Sequence, residues 1–218
     1  MMKKLNRDTD SFFTFILART ISRRITPLLK NTFITPLQVT SSGLLIGLFA
    51  AWIASNSLWY CGILAALLIE TAHVFDCIDG ELARITDRGN PFAASLDPIS
   101  DRFKDIAVIY AAYVQSLNAK IFNLSEFQIS TIALFTIGLW SFYMYIVDAH
   151  LNPAKNKKAS KNNNKSTRIY LGLYDLFVYG SIASLLFHSF EYFIVFILFI
   201  SIFGIVIQII QLQKILKT

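Results

Sequence analysis

Six apolar stretches, each long enough to cross a lipid bilayer, constrain this chain more than any other feature. A spanning helix needs about 20 mostly apolar residues, and the stretches are 36–55, 58–82, 92–117, 126–149, 169–188 and 190–212. Hydrophobic residues make up 55% of the chain and the mean hydropathy is +0.52, both above what a soluble domain shows. The sequence therefore predicts an all-α integral membrane protein with six transmembrane helices.

The basic residues are distributed asymmetrically and predict the orientation of these helices. Lysine and arginine are frequent before the first stretch and in the segment 152–167, whereas the connections near residues 56, 120 and 190 carry few or none. By the positive-inside rule, both termini and the 152–167 segment are expected to face the cytoplasm from the inner membrane. The net charge of +6 then reflects topology and attraction to membrane lipids, and no nucleic-acid partner is expected.

The N-terminal segment combines apolar residues at helical spacing with basic residues. Its apolar residues are Phe12, Phe13, Ile16, Leu17, Ile21, Ile25 and Leu28. Arg19, Arg23 and Lys30 fall off this face, which predicts an amphipathic helix over 10–30 lying in the membrane interface; a soluble helix packed on the bundle is the alternative. Because no signal-peptide pattern is present, we expect the segment to be retained. We divide the chain into an N-terminal cytoplasmic or interfacial segment, 1–32, and a membrane domain, 33–218.

Acidic residues between the second and third stretches, within 73–105, form the most informative pattern. Asp76 and Asp79 are three residues apart and Asp97 and Asp101 are four apart, so each pair shares one helix face. Four carboxylates at the end of a membrane bundle repel one another and are costly to desolvate, so we expect cations to compensate them. Oxygen ligands without histidine or cysteine favour Mg²⁺ or Mn²⁺.

The neighbours of these aspartates suggest a ligand larger than a metal ion. Gly80 and Ala83 let a bulky group approach the helix backbone, and Arg84 adds a fixed cation. His73 lies one turn before Asp76, where an orienting or packing role is favoured over metal ligation. A helix end whose acids and bases pair and face water is the plainer alternative.

This region resembles the signature of the CDP-alcohol phosphotransferase family, DxxDGxxAR followed by eight residues and GxxxDxxxD. The matching positions are Asp76, Asp79, Gly80, Ala83, Arg84, Asp97 and Asp101, with Ala93 in place of the second motif glycine. The start of the first stretch, Thr35 to Thr40, also resembles the family, with Leu37 where asparagine is common. The resemblance implies the same six-helix plan with an interfacial N-terminal helix.

The resemblance also implies a reaction. A metal-dependent transferase would move a phosphatidyl-type group from a CDP-linked lipid donor to a small polar acceptor alcohol, releasing CMP, in phospholipid biosynthesis. Two Mg²⁺ or Mn²⁺ ions would be held by Asp76, Asp79, Asp97 and Asp101. Asp101 would also be the catalytic base that takes the acceptor proton.

Substrate contacts follow from the same resemblance. The residues expected to bind the CDP-linked donor are Asp76, Gly80, Ala83, Arg84, Ala93, Thr35 and Gln38. Arg168 and Lys104 are candidates to hold an anionic acceptor, or alternatively to anchor lipid headgroups. Homodimers are usual in the family, and the apolar spans allow one.

Two other functions fit parts of the pattern. A divalent-cation carrier could use the four aspartates as a permeation site, but carrier sites usually lie near the bilayer midplane, and these acids cluster at the cytoplasmic end of the spans. A homologue that has lost activity could serve as a scaffold. The presence of all four aspartates argues against that loss.

Overall fold

The computed structural model describes residues 9–86, 88, 91–156, 168–170 and 172–216, and this part of the chain is almost entirely helical. Its α-helices are α1 Phe12–Ile16, α2 Ala18–Leu29, α3 Pro36–Ala54, α4 Trp59–Thr86, α5 Pro91–Ala119, α6 Glu126–Asn156, α7 Leu173–Leu186 and α8 Phe193–Leu216. Short 3-10 turns, Ile121–Asn123 and Phe190–Tyr192, precede α6 and α8. The all-α prediction is confirmed, and the described residues contain in addition one short parallel pair of strands, β1 (Thr9–Ser11) and β2 (Arg168–Tyr170).

Helices occupy all six apolar stretches, but they differ in their capacity to cross a membrane. Among the described residues, four segments are long and apolar enough to do so: α3, α4, Glu126–Asp148 of α6, and Phe190–Ile210. Helix α5 has 29 residues, but its first half carries the acidic motif and only the part after Asp105 lacks charges. Helix α7 has 14 residues, fewer than a straight span requires. The helices thus indicate an integral membrane protein.

Two apolar clusters hold the bundle together. The larger cluster draws on α3 to α8 and includes Trp140 and Phe177, whose rings stack with centroids 4.5 Å apart. The smaller cluster joins α2, α3 and the second half of α4 through Ala18, Val39, Val74, Cys77, Ile78 and Leu82. The turns of α4 that carry Asp76 and Asp79 therefore pack in the smaller cluster, apart from the main core.

The N-terminal segment forms two helices where the sequence predicts one. The chain bends at Leu17 (φ −95°, ψ −75°), which separates α1 from α2. Ile21 and Leu28 on α2 are exposed, at 44% and 74%, whereas Arg19 is only 2% exposed. Arg19 lies off the apolar face, as expected, but it is buried against α4.

Candidate metal centre

Helices α4 and α5 bring together three of the four predicted aspartates. One carboxylate oxygen from each of Asp76, Asp97 and Asp101 lies within 4.8 Å of the other two. Asp97 and Asp101 are one turn apart on α5, and Asp76 faces them from α4. All three side chains are half-buried. We call these residues the aspartate trio.

Asp79, the fourth predicted ligand, is not a member of the trio. Its side chain is buried and accepts a hydrogen bond of 2.5 Å from the Thr40 hydroxyl of α3. Thr40 also lies 3.1 Å from the carbonyl oxygen of Pro36, one turn earlier. Helix α3 therefore holds the Asp79 carboxylate beside the trio.

Lys104 places its ammonium group against the trio. Its Nζ lies 2.8 Å from Oδ1 of Asp101 and 3.6 Å from Oδ1 of Asp76. The lysine stem crosses Gly47 of α3, where an added Cβ would come within 2.8 Å of the Lys104 Cγ and Cδ. The absence of a side chain at Gly47 thus opens the route by which Lys104 reaches the trio.

The donor set fits a divalent cation. Three carboxylates converge within reach of one ion, and Lys104 supplies one positive charge against their three negative charges. Carboxylate oxygens without nitrogen or sulfur suit hard cations such as Mg²⁺ and Mn²⁺. Excess negative charge is unfavourable in a half-buried site, and a bound cation would compensate it.

A hydrogen-bonded chain supports α4 one turn before Asp76. Asp175 on α7 accepts hydrogen bonds from the hydroxyls of Ser11 (2.6 Å) and Thr14 (3.0 Å). The Thr14 hydroxyl also lies 3.0 Å from His73 Nε2, where the tautomer of the imidazole decides which atom donates. His73 is therefore engaged with the N-terminal segment and lies outside the trio.

Asp105, one turn after Asp101, is a buried carboxylate that the sequence reasoning left out. It accepts hydrogen bonds from Trp140 Nε1 at 2.9 Å and pairs with Arg102 at 2.9 Å. Asp105 and Asp175 could have been found, since each is an acidic residue inside an apolar stretch, and such residues are costly there unless they have partners.

The residues expected to bind the donor are spread over three helices. Gly80, Ala83 and Arg84 follow the trio's Asp76 along α4, and Ala93 is buried near the start of α5. Thr35 and Gln38 instead form a capping box at the start of α3, in which each side chain bonds the backbone N–H of the other. Of the two acceptor candidates, Lys104 lies at the trio, and Arg168 contributes its backbone to β2 while its side chain lies outside the described residues.

Comparison with known proteins decides the family. Residues 33–207 match the CDP-alcohol phosphatidyltransferase family, a range that includes the trio and all helices from α3 to most of α8. The chain belongs to this family. Membership confirms the resemblance seen in the motif, and the family is one of transferases of substituted phosphate groups.

Several curated relatives share part of the sequence. The bifunctional IPC transferase and DIPP synthase of Aquifex aeolicus is 36% identical over 102 residues, which cover 47% of this chain and 23% of that protein. The archaetidylinositol phosphate synthase of Pyrococcus horikoshii is 34% identical over 89 residues, covering 40% and 45%. The phosphatidylinositol phosphate synthase of Corynebacterium glutamicum is 33% identical over 96 residues, covering 43% and 42%. The chain thus matches less than half the length of each relative.

Proposed function

We propose that this protein is a divalent-metal-dependent CDP-alcohol phosphatidyltransferase of phospholipid biosynthesis. It moves a phosphatidyl-type group from a CDP-linked lipid donor to the hydroxyl of an acceptor alcohol and releases CMP. The observation that carries the proposal is the convergence of Asp76, Asp97 and Asp101 within 4.8 Å, at positions of the family motif. Chemistry at phosphorus depends mainly on alignment and charge neutralisation, which such a cluster supplies.

Asp76, Asp79, Asp97 and Asp101 are the residues that would hold two Mg²⁺ or Mn²⁺ ions. When bound, such ions neutralise the charge of the donor diphosphate and of the departing CMP. Asp79 keeps its carboxylate in place through Thr40. Asp76 on α4 and Asp97 on α5 face one another across the site and would share a bound ion.

Asp101 is our candidate for the catalytic base. As the acceptor oxygen bonds to the β-phosphorus, its proton passes to the Asp101 carboxylate, and the bond from the β-phosphorus to the CMP oxygen breaks. Lys104, 2.8 Å away, fixes the orientation of that carboxylate. The new phosphodiester stays in the membrane and CMP leaves to the cytoplasm.

Substrate contacts are part of the same proposal. The small residues Gly80, Ala83 and Ala93 leave room for the cytidine diphosphate, and Arg84 provides positive charge next to it. Thr35 and Gln38, at the N-terminus of α3, complete the donor site. For the acceptor we propose an inositol phosphate held by Lys104 and Arg168, a choice supported by the names of the Pyrococcus and Corynebacterium relatives.

The membrane arrangement is also proposed. Segment 1–32 lies at the cytoplasmic interface, and 33–218 forms a six-helix domain in the inner membrane. Both termini and the active site face the cytoplasm. The functional unit is a homodimer. The asymmetry of lysine and arginine supports this orientation. With Cys61 and Cys77 replaced by serine, a single cysteine introduced at residue 160 should resist an impermeant reagent added outside intact cells. Modification there would reject the orientation, and chemical cross-linking in native membranes tests the dimer.

A direct assay tests the reaction. The purified protein in nanodiscs is given CDP-diacylglycerol or a CDP-activated diether lipid, with inositol phosphate, inositol, glycerol 3-phosphate or serine. Mass analysis of the lipid product and of CMP should show acceptor-dependent transfer that EDTA stops and Mn²⁺ or Mg²⁺ restores. Asp76→Asn is the matched inactive control. Transfer that persists in excess EDTA would refute the metal requirement, whereas no transfer with any pair, combined with Mn²⁺ uptake into liposomes, would favour a carrier.

A further inference from the structure

Helix α2 buries a row of polar side chains, although apolar residues of the same helix are exposed. Arg19, Ser22 and Thr26 are at most 2% exposed, whereas Ile21 and Leu28 are open to the surroundings. The three polar residues are spaced by three and four positions, so they lie on one face of the helix. That face packs on the second half of α4, where Glu81 is fully buried.

Glu81 receives donors on both of its carboxylate oxygens. Arg19 (2.8 Å) and Ser22 (2.8 Å) donate to Oε1, and Thr26 (2.7 Å) donates to Oε2. Arg19 also reaches the backbone carbonyl oxygen of Cys77 at 3.3 Å, one turn earlier on α4. Breaking a buried and hydrogen-bonded charge pair is costly, so this network fixes α2 firmly on α4.

Glu81 points away from the trio. With 3.6 residues per turn, its side chain leaves α4 roughly 140° from that of Asp76 and roughly 160° from that of Asp79. It is held on that side by α2, so it does not reach groups bound between α4 and α5. Any influence of Glu81 on the trio must therefore act through the position of α4 itself.

The packing of α4 explains how Glu81 can affect the position of the trio. The larger apolar cluster reaches along α4 only as far as Ile69, while the later turns pack in the smaller cluster with Ala18, Ile25 and Leu29 of the N-terminal segment. The turns carrying Asp76 and Asp79 are thus held from one side by α3 and from the other by α2.

We infer that Glu81, with Arg19, Ser22 and Thr26, is a positioning network that holds the metal-binding turns of α4 in register with α5. This inference rests on the proposed metal site, because its effect is on the distance from Asp76 to Asp97 and Asp101. None of the four residues belongs to the metal, donor or acceptor sites proposed above. Loosening the network allows α4 to shift or rotate and weakens metal binding without removing a ligand.

The test is Mn²⁺ affinity of the folded, purified protein in nanodiscs, measured by calorimetry alongside thermal unfolding. Thr26→Val removes the hydroxyl that donates to Glu81 with little change of shape, and Thr26→Ser keeps that hydroxyl. Glu81→Gln removes the charge, and Arg24→Met is the control for an exposed arginine on the same helix. Glu81→Gln should lower the Mn²⁺ affinity about tenfold, the scale seen when outer partners of metal ligands are removed. Thr26→Val should lower it less, and Thr26→Ser and Arg24→Met should bind as wild type.

The outcomes separate three cases. A purely structural role would lower the unfolding temperature and leave the Mn²⁺ affinity of the folded protein unchanged, which would overturn the inference while leaving the proposed function standing. If Glu81→Gln does not fold, the comparison of Thr26→Val with Thr26→Ser decides. If the wild-type protein itself binds no Mn²⁺, the proposed metal site fails and the inference fails with it.

Discussion

Replacing Lys104 with methionine should raise the affinity of the site for divalent cations. The methionine keeps an apolar stem across Gly47 but removes the ammonium that lies 2.8 Å from Asp101 and 3.6 Å from Asp76. In the metal-free protein, the three carboxylates then lose the positive charge that the structure places against them. A bound cation compensates the same negative charges. Removing the ammonium therefore raises the free energy of the metal-free protein more than that of the metal-bound protein.

The size of the effect follows from the burial of the pair. Lys104 and Asp101 are 13% and 19% exposed, and removing one partner of a buried pair costs about 3 kcal/mol at the lower end of the usual range. If metal binding restores half of this lost stability, the affinity of the site for the cation rises about tenfold, since about 1.4 kcal/mol corresponds to a factor of ten. The metal-free protein should also unfold at a lower temperature than wild type.

Calorimetric titration with Mn²⁺ in nanodiscs, together with thermal unfolding with and without Mn²⁺, measures both effects. Lys120→Met is the matched control, because Lys120 is exposed just after the end of α5. An unchanged or lower Mn²⁺ affinity of Lys104→Met would refute the reasoning that the ammonium and the cation compensate the same carboxylates.

Further substitutions separate the roles of the other side chains. Asp97→Asn should weaken the binding of both Mn²⁺ and the CDP-linked donor. Asp101→Asn should bind the donor as wild type does but lower turnover about 10²–10⁴-fold. Near-normal turnover of Asp101→Asn with every acceptor would reject its assignment as the catalytic base. Thr40→Val removes the hydrogen bond to Asp79 and should lower Mn²⁺ affinity about tenfold, with Thr40→Ser close to wild type. Equal titrations for the two Thr40 variants would show that this bond does not support the site. Asp175→Asn should destabilise the protein by about 1–3 kcal/mol in chemical unfolding, since its carboxylate anchors the N-terminal segment, and an unaltered free energy of unfolding would contradict that role.

The positions of the helices could be predicted because they follow from apolar length alone. The stretch 36–55 became α3, Pro36–Ala54, and its start is encoded locally by Thr35, Pro36 and Gln38. The acidic pairs were also predictable, since spacing on a helix fixes which side chains share a face. The meeting of Asp76 with Asp97 and Asp101 required in addition that α4 and α5 both pack on α3, an arrangement that spacing along the chain does not predict.

The partners of buried charges were not predictable in the same way. Arg19 appears in the sequence as one of several arginines in a basic segment, and Glu81 as one of several acids in the motif. Their contact at 2.8 Å joins residues 62 positions apart and depends on how α2 crosses α4. Likewise, Lys104 reaches the trio only because Gly47, on another helix, leaves space for its stem.

The two anchoring contacts of the N-terminal segment also set an order of assembly during synthesis. Arg19 meets Glu81 after 62 residues, whereas Ser11 and Thr14 meet Asp175 only after 164 and 161 residues. Helix α2 can therefore dock on α4 while later helices are still being made, whereas the bonds of Ser11 and Thr14 to Asp175 can form only after α7 has been made. Contacts between such distant residues form late because long loops must close first. The bonds to Asp175 are thus expected to form later in synthesis than the docking of α2 on α4.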